Sequence, residues 1–237
     1  GWAATTNFPT TIRHHSAFGS QSAATTVSGQ IGPSMSAVSY EFDGVSWTTA
    51  GSISSNRSSA GSTGVQTAGL CWGGIGGTGS NLSQEYNGSS WSATGNYVIA
   101  PYEPMGGGTQ SAAWGAGGNV PGDSPQQKNV TANYDGSTWT TSGNITYYIS
   151  EHGAGGVQSA GLIAGGDMGP SGSTRNSAEY NGSTWITSNL LVGAARRHVD
   201  TGAASQAAGI CSGGYDSAYT NRTELYEKPL IEWVGQT

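Results

Sequence analysis

Charge is scarce in this chain. Only 9% of its 237 residues are Asp, Glu, Lys or Arg, and eight scattered basic residues stand against fourteen acidic ones, for a net charge of −6. Such a chain lacks the cationic footprint that grips a phosphate backbone, which excludes nucleic acid as a partner. Two cysteines do not make a disulfide scaffold. No apolar run approaches the roughly 20 residues needed to span a bilayer, and Gly1-Trp2-Ala3-Ala4 has neither the basic nor the apolar region of a signal peptide. The expectation is a soluble protein without membrane insertion, and a start at Gly1 is read as processing or as part of something longer.

What is abundant is glycine, at 40 residues, set among Ser, Thr, Ala and Asn. Disorder is disfavoured because eight Trp and eleven Tyr recur at intervals and can supply a core. One repeated unit is an aromatic, a turn and a Trp: Phe42-Asp43-Gly44-Val45-Ser46-Trp47, then Tyr86 to Trp91, Tyr134 to Trp139, Tyr180 to Trp185, and a degenerate Tyr226 to Trp233. The five Trp are 44, 48, 46 and 48 residues apart, the length of a four-stranded propeller blade. A second unit keeps the period: Gln66-Thr67-Ala68-Gly69, Gln158-Ser159-Ala160-Gly161 and Gln206-Ala207-Ala208-Gly209, with variants at Gln21 and Gln110. Seven and eight residues beyond each Gln stand Gly73-Gly74, Gly117-Gly118, Gly165-Gly166 and Gly213-Gly214, with Ser28-Gly29 in the first copy.

Asn-Gly and Asp-Gly supply the positive-φ pair of a type I′ hairpin turn, placing the aromatic and the Trp on paired strands. The small residues after each Gln, and the Gly pair, predict an inner strand where backbones approach closely near an axis. The expected fold is all-β: a five-bladed β-propeller of four-stranded blades. It forms one domain over 1–237, with blades near 6–50, 51–95, 96–143, 144–189 and 190–237 and an extra segment at 1–5. Trp2 in that segment either pairs beyond Trp233 or ends a preceding blade of a longer chain; the complete ring is the favoured reading. Cys71 and Cys211 occupy equivalent places in blades that are not neighbours, which predicts two buried free thiols.

A Gly-Gly followed by Tyr and Trp across the next hairpin resembles the kelch motif, although Glu85 and Glu179 stand one residue before their Tyr instead of two. The wording Tyr180-Asn181-Gly182-Ser183-Thr184-Trp185 is similar to Ser/Gly-rich kelch-like repeat proteins of marine bacteriophages. The resemblance implies a non-enzymatic, virion-associated or extracellular protein, such as a tail or capsid appendage, that contacts other virion proteins or a host-surface glycan. A lectin-like carbohydrate-binding module is the alternative, with Trp72 and Trp114, which break the repeat, as aromatic contacts.

A hydrolase or oxidase is less favoured. Asp135-Gly136 lacks the intervening residue of the sialidase Asp box, no His follows either Cys closely as a copper oxidase requires, and no cofactor motif is present. The sequons at Asn56, Asn129 and Asn181 are expected by chance in this composition. One polar cluster escapes packing arguments. Within ten residues ahead of each Gln stand Arg13-His14-His15, Arg57, Glu103, Glu151-His152 and Arg196-Arg197-His198. They are expected at one mouth of the channel, where Arg13, His14, Arg197 and His198 form a cationic pocket for an anionic group, with Glu151 and His152 beside it. The competing readings are a set of inter-blade clamps and, less favoured, a metal held by His14, His152 and His198.

Overall fold

The computed structural model describes residues 4–76, 80–195, 197, 200–201 and 205–228; Trp2, His198 and Trp233 lie outside them. Strands dominate, and one short 3-10 turn at Gly169–Ser171 is the single helical piece among the described residues. Four antiparallel sheets have four strands each, hydrogen-bonded in chain order. The first holds Ser16–Ser20, Ala23–Val27, Ser39–Phe42 and Trp47–Ala50; the second Gly61–Val65, Ala68–Trp72, Ser83–Tyr86 and Trp91–Ala93. The third holds Met105–Thr109, Ala112–Ala116, Thr131–Tyr134 and Trp139–Thr141; the fourth Gly153–Val157, Ala160–Ala164, Ser177–Tyr180 and Trp185–Thr187. The fifth has three described strands, Asp200–Thr201, Ala208–Ser212 and Thr223–Glu227.

The aromatic and the Trp of each repeat face each other in register, as Phe42 with Trp47, Tyr86 with Trp91, Tyr134 with Trp139 and Tyr180 with Trp185. Their centroids lie 4.9 to 5.1 Å apart, the cross-strand aromatic pair that stabilises a hairpin. The turn between them is not type I′. Four residues separate the partners, and only the Gly takes positive φ. The Asp or Asn before it makes the turn instead: the Asp135 carboxylate accepts N–H bonds from Ser137 and Thr138 at 2.9 and 2.8 Å.

The strand after each Gln is not the one where the sheets converge. Gln66-Thr67 is a two-residue turn joining Gly61–Val65 to Ala68–Trp72, and it is the strands ahead of the Gln that crowd one another. Ser62 Oγ donates to Ala17 O at 3.1 Å and Thr63 Oγ1 to Gly108 O at 2.8 Å, linking the first strands of three successive sheets. The Gly pairs lie beyond the second strands, with both residues at positive φ, as in Gly117 (63°) and Gly118 (97°). They turn the chain off the strand end, where a side chain at both positions would be strained.

The core lies between sheets. Phe18, Cys71 and Tyr86 fill the gap between the first and second, Trp72, Tyr134 and Trp139 the next, and Trp114, Ile163, Tyr180 and Trp185 the third. Among the described residues, the buried cluster of the fourth gap is Ala164, Leu191 and Cys211. Gly161 shows why the Gln repeat ends in glycine: a Cβ there would come within 2.7 Å of the Trp114 ring of the preceding sheet.

Candidate functional site

Two residues ahead of the first strand of each of the first four sheets, the chain adopts left-handed φ without glycine: His14 (53°), Ser59 (52°), Glu103 (54°) and Glu151 (54°). Backbone bonds hold neighbours in step, Ser59 N–H to His14 O at 2.8 Å and Glu103 N–H to Ser59 O at 3.0 Å. Just before these residues, Arg13, Ser58, Tyr102 and Ser150 each form an isolated bridge with the residue that follows the Gly pair or Ser28-Gly29, namely Gln30, Ile75, Asn119 and Asp167, and Arg197 makes the same bridge to Tyr215. The strained turn and the Gly pair therefore form one corner, repeated along the chain. The corners bring His14, His15, Glu103, Glu151 and His152 to a single cavity of about 460 Å³.

The arginines behave differently from the cationic pocket expected of them. Arg13 donates Nε to Gln30 Oε1 at 3.1 Å and does not line the cavity. Arg57 stands one residue out of step with the bridging positions and is fully buried, donating to Gly73 O, Leu82 O and Gln84 Oε1 at 3.1, 2.9 and 2.7 Å. It is a clamp. Arg197 approaches Glu151 at 3.6 Å and Asp167 at 3.9 Å, with its guanidinium 5.2 Å from the Tyr215 ring centroid. The described lining of the cavity thus contains two carboxylates and neither Arg nor Lys.

Burial and the nearby charges of Glu151 and Asp167 push the Glu103 carboxyl up to about 7, against a smaller opposing pull from Arg197. The His152 imidazole is 1% exposed, has no hydrogen-bond partner at either nitrogen, and is driven by desolvation down to about 3, so it is neutral. Desolvation also lowers His15. Among the described residues no His, Cys, Asp and Glu trio is placed to hold a metal. Asp167 is the site residue missing from the sequence-derived cluster, where its signal was a fixed place after a Gly pair, while His15 and Glu103 were in that cluster but not in the expected pocket.

Trp72 and Trp114 have no exposed surface. Trp72 packs 5.2 Å from Trp139 and Trp114 5.5 Å from Trp185, so both are inter-sheet core and offer no face to a sugar. Cys71 and Cys211 are buried and not joined in a disulfide, with the Cys71 thiol pushed up by desolvation against a smaller opposing effect of Arg57.

Other polar side chains join sheet to sheet in a repeated pattern. Gln110 Nε2 donates to Gly69 O and Tyr86 O at 2.9 and 2.8 Å, and Gln66, Gln158 and Gln206 make the same pair of bonds to the sheet before their own. Tyr86 donates to Glu41 at 2.9 Å, Tyr134 to Glu85 at 2.8 Å and Tyr180 to Asn133 at 3.1 Å, and Tyr226 donates to Glu179. Trp91, Trp139 and Trp185 donate to Ser39, Ser83 and Thr131.

These features define an all-β protein of blade-like antiparallel sheets, an arrangement compatible with a β-propeller. No family model matches the sequence, and no curated protein matches it.

Proposed function

We propose that the chain is a five-bladed kelch-like β-propeller with no catalytic role, serving as a structural or host-contact protein of a bacteriophage particle. The observation that supports this reading is the use made of the polar side chains. Glu41, Glu85 and Glu179 accept Tyr hydroxyls, Asp43 and Asp135 cap turns, and four Gln tie each sheet to the one before. These acids and amides are fixed in a scaffold, as suits a rigid platform carrying loops. Mass spectrometry of purified virions tests the proposal: the chain is expected among the particle proteins, and its absence from them overturns the virion assignment.

A carbohydrate-binding module is the second reading. Tyr219, 89% exposed on the short hairpin Tyr215–Asp216 and Ala218–Tyr219, lies edge-on 5.4 Å from Tyr215 and is a surface aromatic of the kind that stacks on sugars. A glycan array with the Tyr219→Ala variant as control separates this from the first reading.

A further inference from the structure

We propose that the N-terminal segment around Trp2 is a strap that docks as the outer strand of the fifth sheet, its indole seated in a socket between the fourth and fifth sheets. This closure presupposes the five-bladed reading and not the virion assignment.

The residue six places beyond the Trp of one sheet packs in the gap that holds the Trp of the next: Ile53 with Trp91, Tyr97 with Trp139 and Ile145 with Trp185. Phe8 makes that contact with Trp47, edge-on at 4.8 Å, as Tyr97 does with Trp139 at 4.8 Å. Phe8 is six places beyond Trp2, and Arg13, at the bridge position, is eleven beyond it, the offset of Ser58, Tyr102 and Ser150 from their own Trp. Residues 2–13 thus carry the spacing of an outer strand and its exit, on a sheet that stands before the first.

The fourth gap, independently, presents a seat for an indole. A cavity of about 170 Å³ there is lined by Ser177, Leu191, Cys211 and Tyr226 among others. Leu191 is six places beyond Trp185, and Ser177 opens the third strand of its sheet as Ser39, Ser83 and Thr131 do, the three acceptors of Trp indole N–H groups. Tyr226 holds the place of the aromatic that pairs with those Trp in register. Trp233 lacks the turn that would carry it there. In the second and third sheets the residue after the Tyr, Asn87 or Asp135, opens the return turn, whereas the fifth sheet runs on: Glu227 pairs with Ala208, and the Lys228 N–H donates to Ala207 O at 3.1 Å. Residues 227–230 contain no Asn, Asp or Gly to make that turn. Ala4 to Asn7 are exposed and outside the described strands, so docking is a closing step of the strap.

By the register of Trp91 with Tyr86 and Ser92 with Glu85, docking sets Trp2 opposite Tyr226 and Ala3 opposite Leu225. The full chain carrying Ala3→Cys and Leu225→Cys, oxidised at low protein concentration, is expected to form an intramolecular disulfide between those positions, read by mass spectrometry of non-reduced peptides. Adding Trp2→Ala is expected to reduce the linked fraction about tenfold or more, because the indole is the anchor. The proposal is overturned if the link joins two chains, which would assign the strand to a second copy, if no link forms, or if it forms as readily without the indole. Val234→Cys with Leu225→Cys tests the other terminus: a link there in place of the first would overturn the strap and leave the five-bladed reading standing, and the absence of both would overturn a completed fifth sheet as well.

Discussion

Asp135 begins the loop between Tyr134 and Trp139, and its carboxylate accepts two backbone and two hydroxyl hydrogen bonds there. Those bonds favour the ionised form and pull its carboxyl from 3.8 down to about 2, although the group is fully exposed. The contribution to stability is therefore complete above pH 3.8 and disappears as pH falls through about 2. A carboxyl carbon NMR titration is expected to place Asp135 near 2, and an ordinary value would break the turn argument.

At the cavity two residues oppose each other. His152 is driven from 6.5 to about 3, so the unfolded chain takes its proton first and acid destabilises the fold below pH 6.5, by about 1.4 kcal/mol per pH unit. Glu103 is raised from 4.5 to about 7, so the folded chain takes that proton first and acid stabilises the fold in the same region. Between pH 4.5 and 6.5 the two effects cancel. Urea denaturation is expected to show Glu103→Gln losing stability with acid across this window and His152→Gln gaining it. Parallel pH profiles for wild type and both variants would contradict the opposition.

The repeated Gln is the element that joins the sheets. Gln110→Ala leaves Gly69 O and Tyr86 O without their donor, which is expected to lower unfolding free energy by about 1–3 kcal/mol in chemical denaturation. The periodicity of Gln, aromatic and Trp made the sheets legible in the sequence, because each hairpin's signal is local. The role of the Gln was not legible, since its acceptors lie 41 and 24 residues back, on another sheet. The Gly pairs were misplaced for a related reason. Gly in a strand and Gly at a left-handed corner are written alike, and only the bridge partner that follows, such as Asn119 or Asp167, distinguishes them. The polar residues that reach the cavity were found by their common offset from the Gln. Their charge balance was not, because Arg57 sits a single residue out of step and turns inward.

Across the whole molecule, the links between neighbouring sheets made by the described residues thin out where the fifth would meet the first. Tyr226 donates to Glu179, but Leu225 stands in the fifth sheet where Glu41, Glu85 and Glu179 stand in others, and Phe42 replaces the Tyr that would donate to it. Gln21 is exposed and makes no bond among the described residues, unlike its four counterparts. On the first sheet Glu41 faces the second, so by strand alternation Tyr40 and Phe42 face the other way, where Phe8 packs 5.1 Å from Tyr40 and 4.8 Å from Trp47. In a closed five-bladed ring this junction is the seam. Hydrogen exchange is then expected to release amides of the first and fifth sheets at a lower opening free energy than those of the second to fourth. Loss of protection at one common free energy throughout would refute a weak seam. A double-mutant cycle asks whether the ring closes at all. If the fifth sheet lies against the first, Phe42→Tyr together with Leu225→Glu restores the hydroxyl–carboxylate link, and the pair should stabilise the protein beyond the sum of the singles by about 0.5–3 kcal/mol. Additive singles would mean that those two positions do not meet and that the ring is open or closed by other contacts.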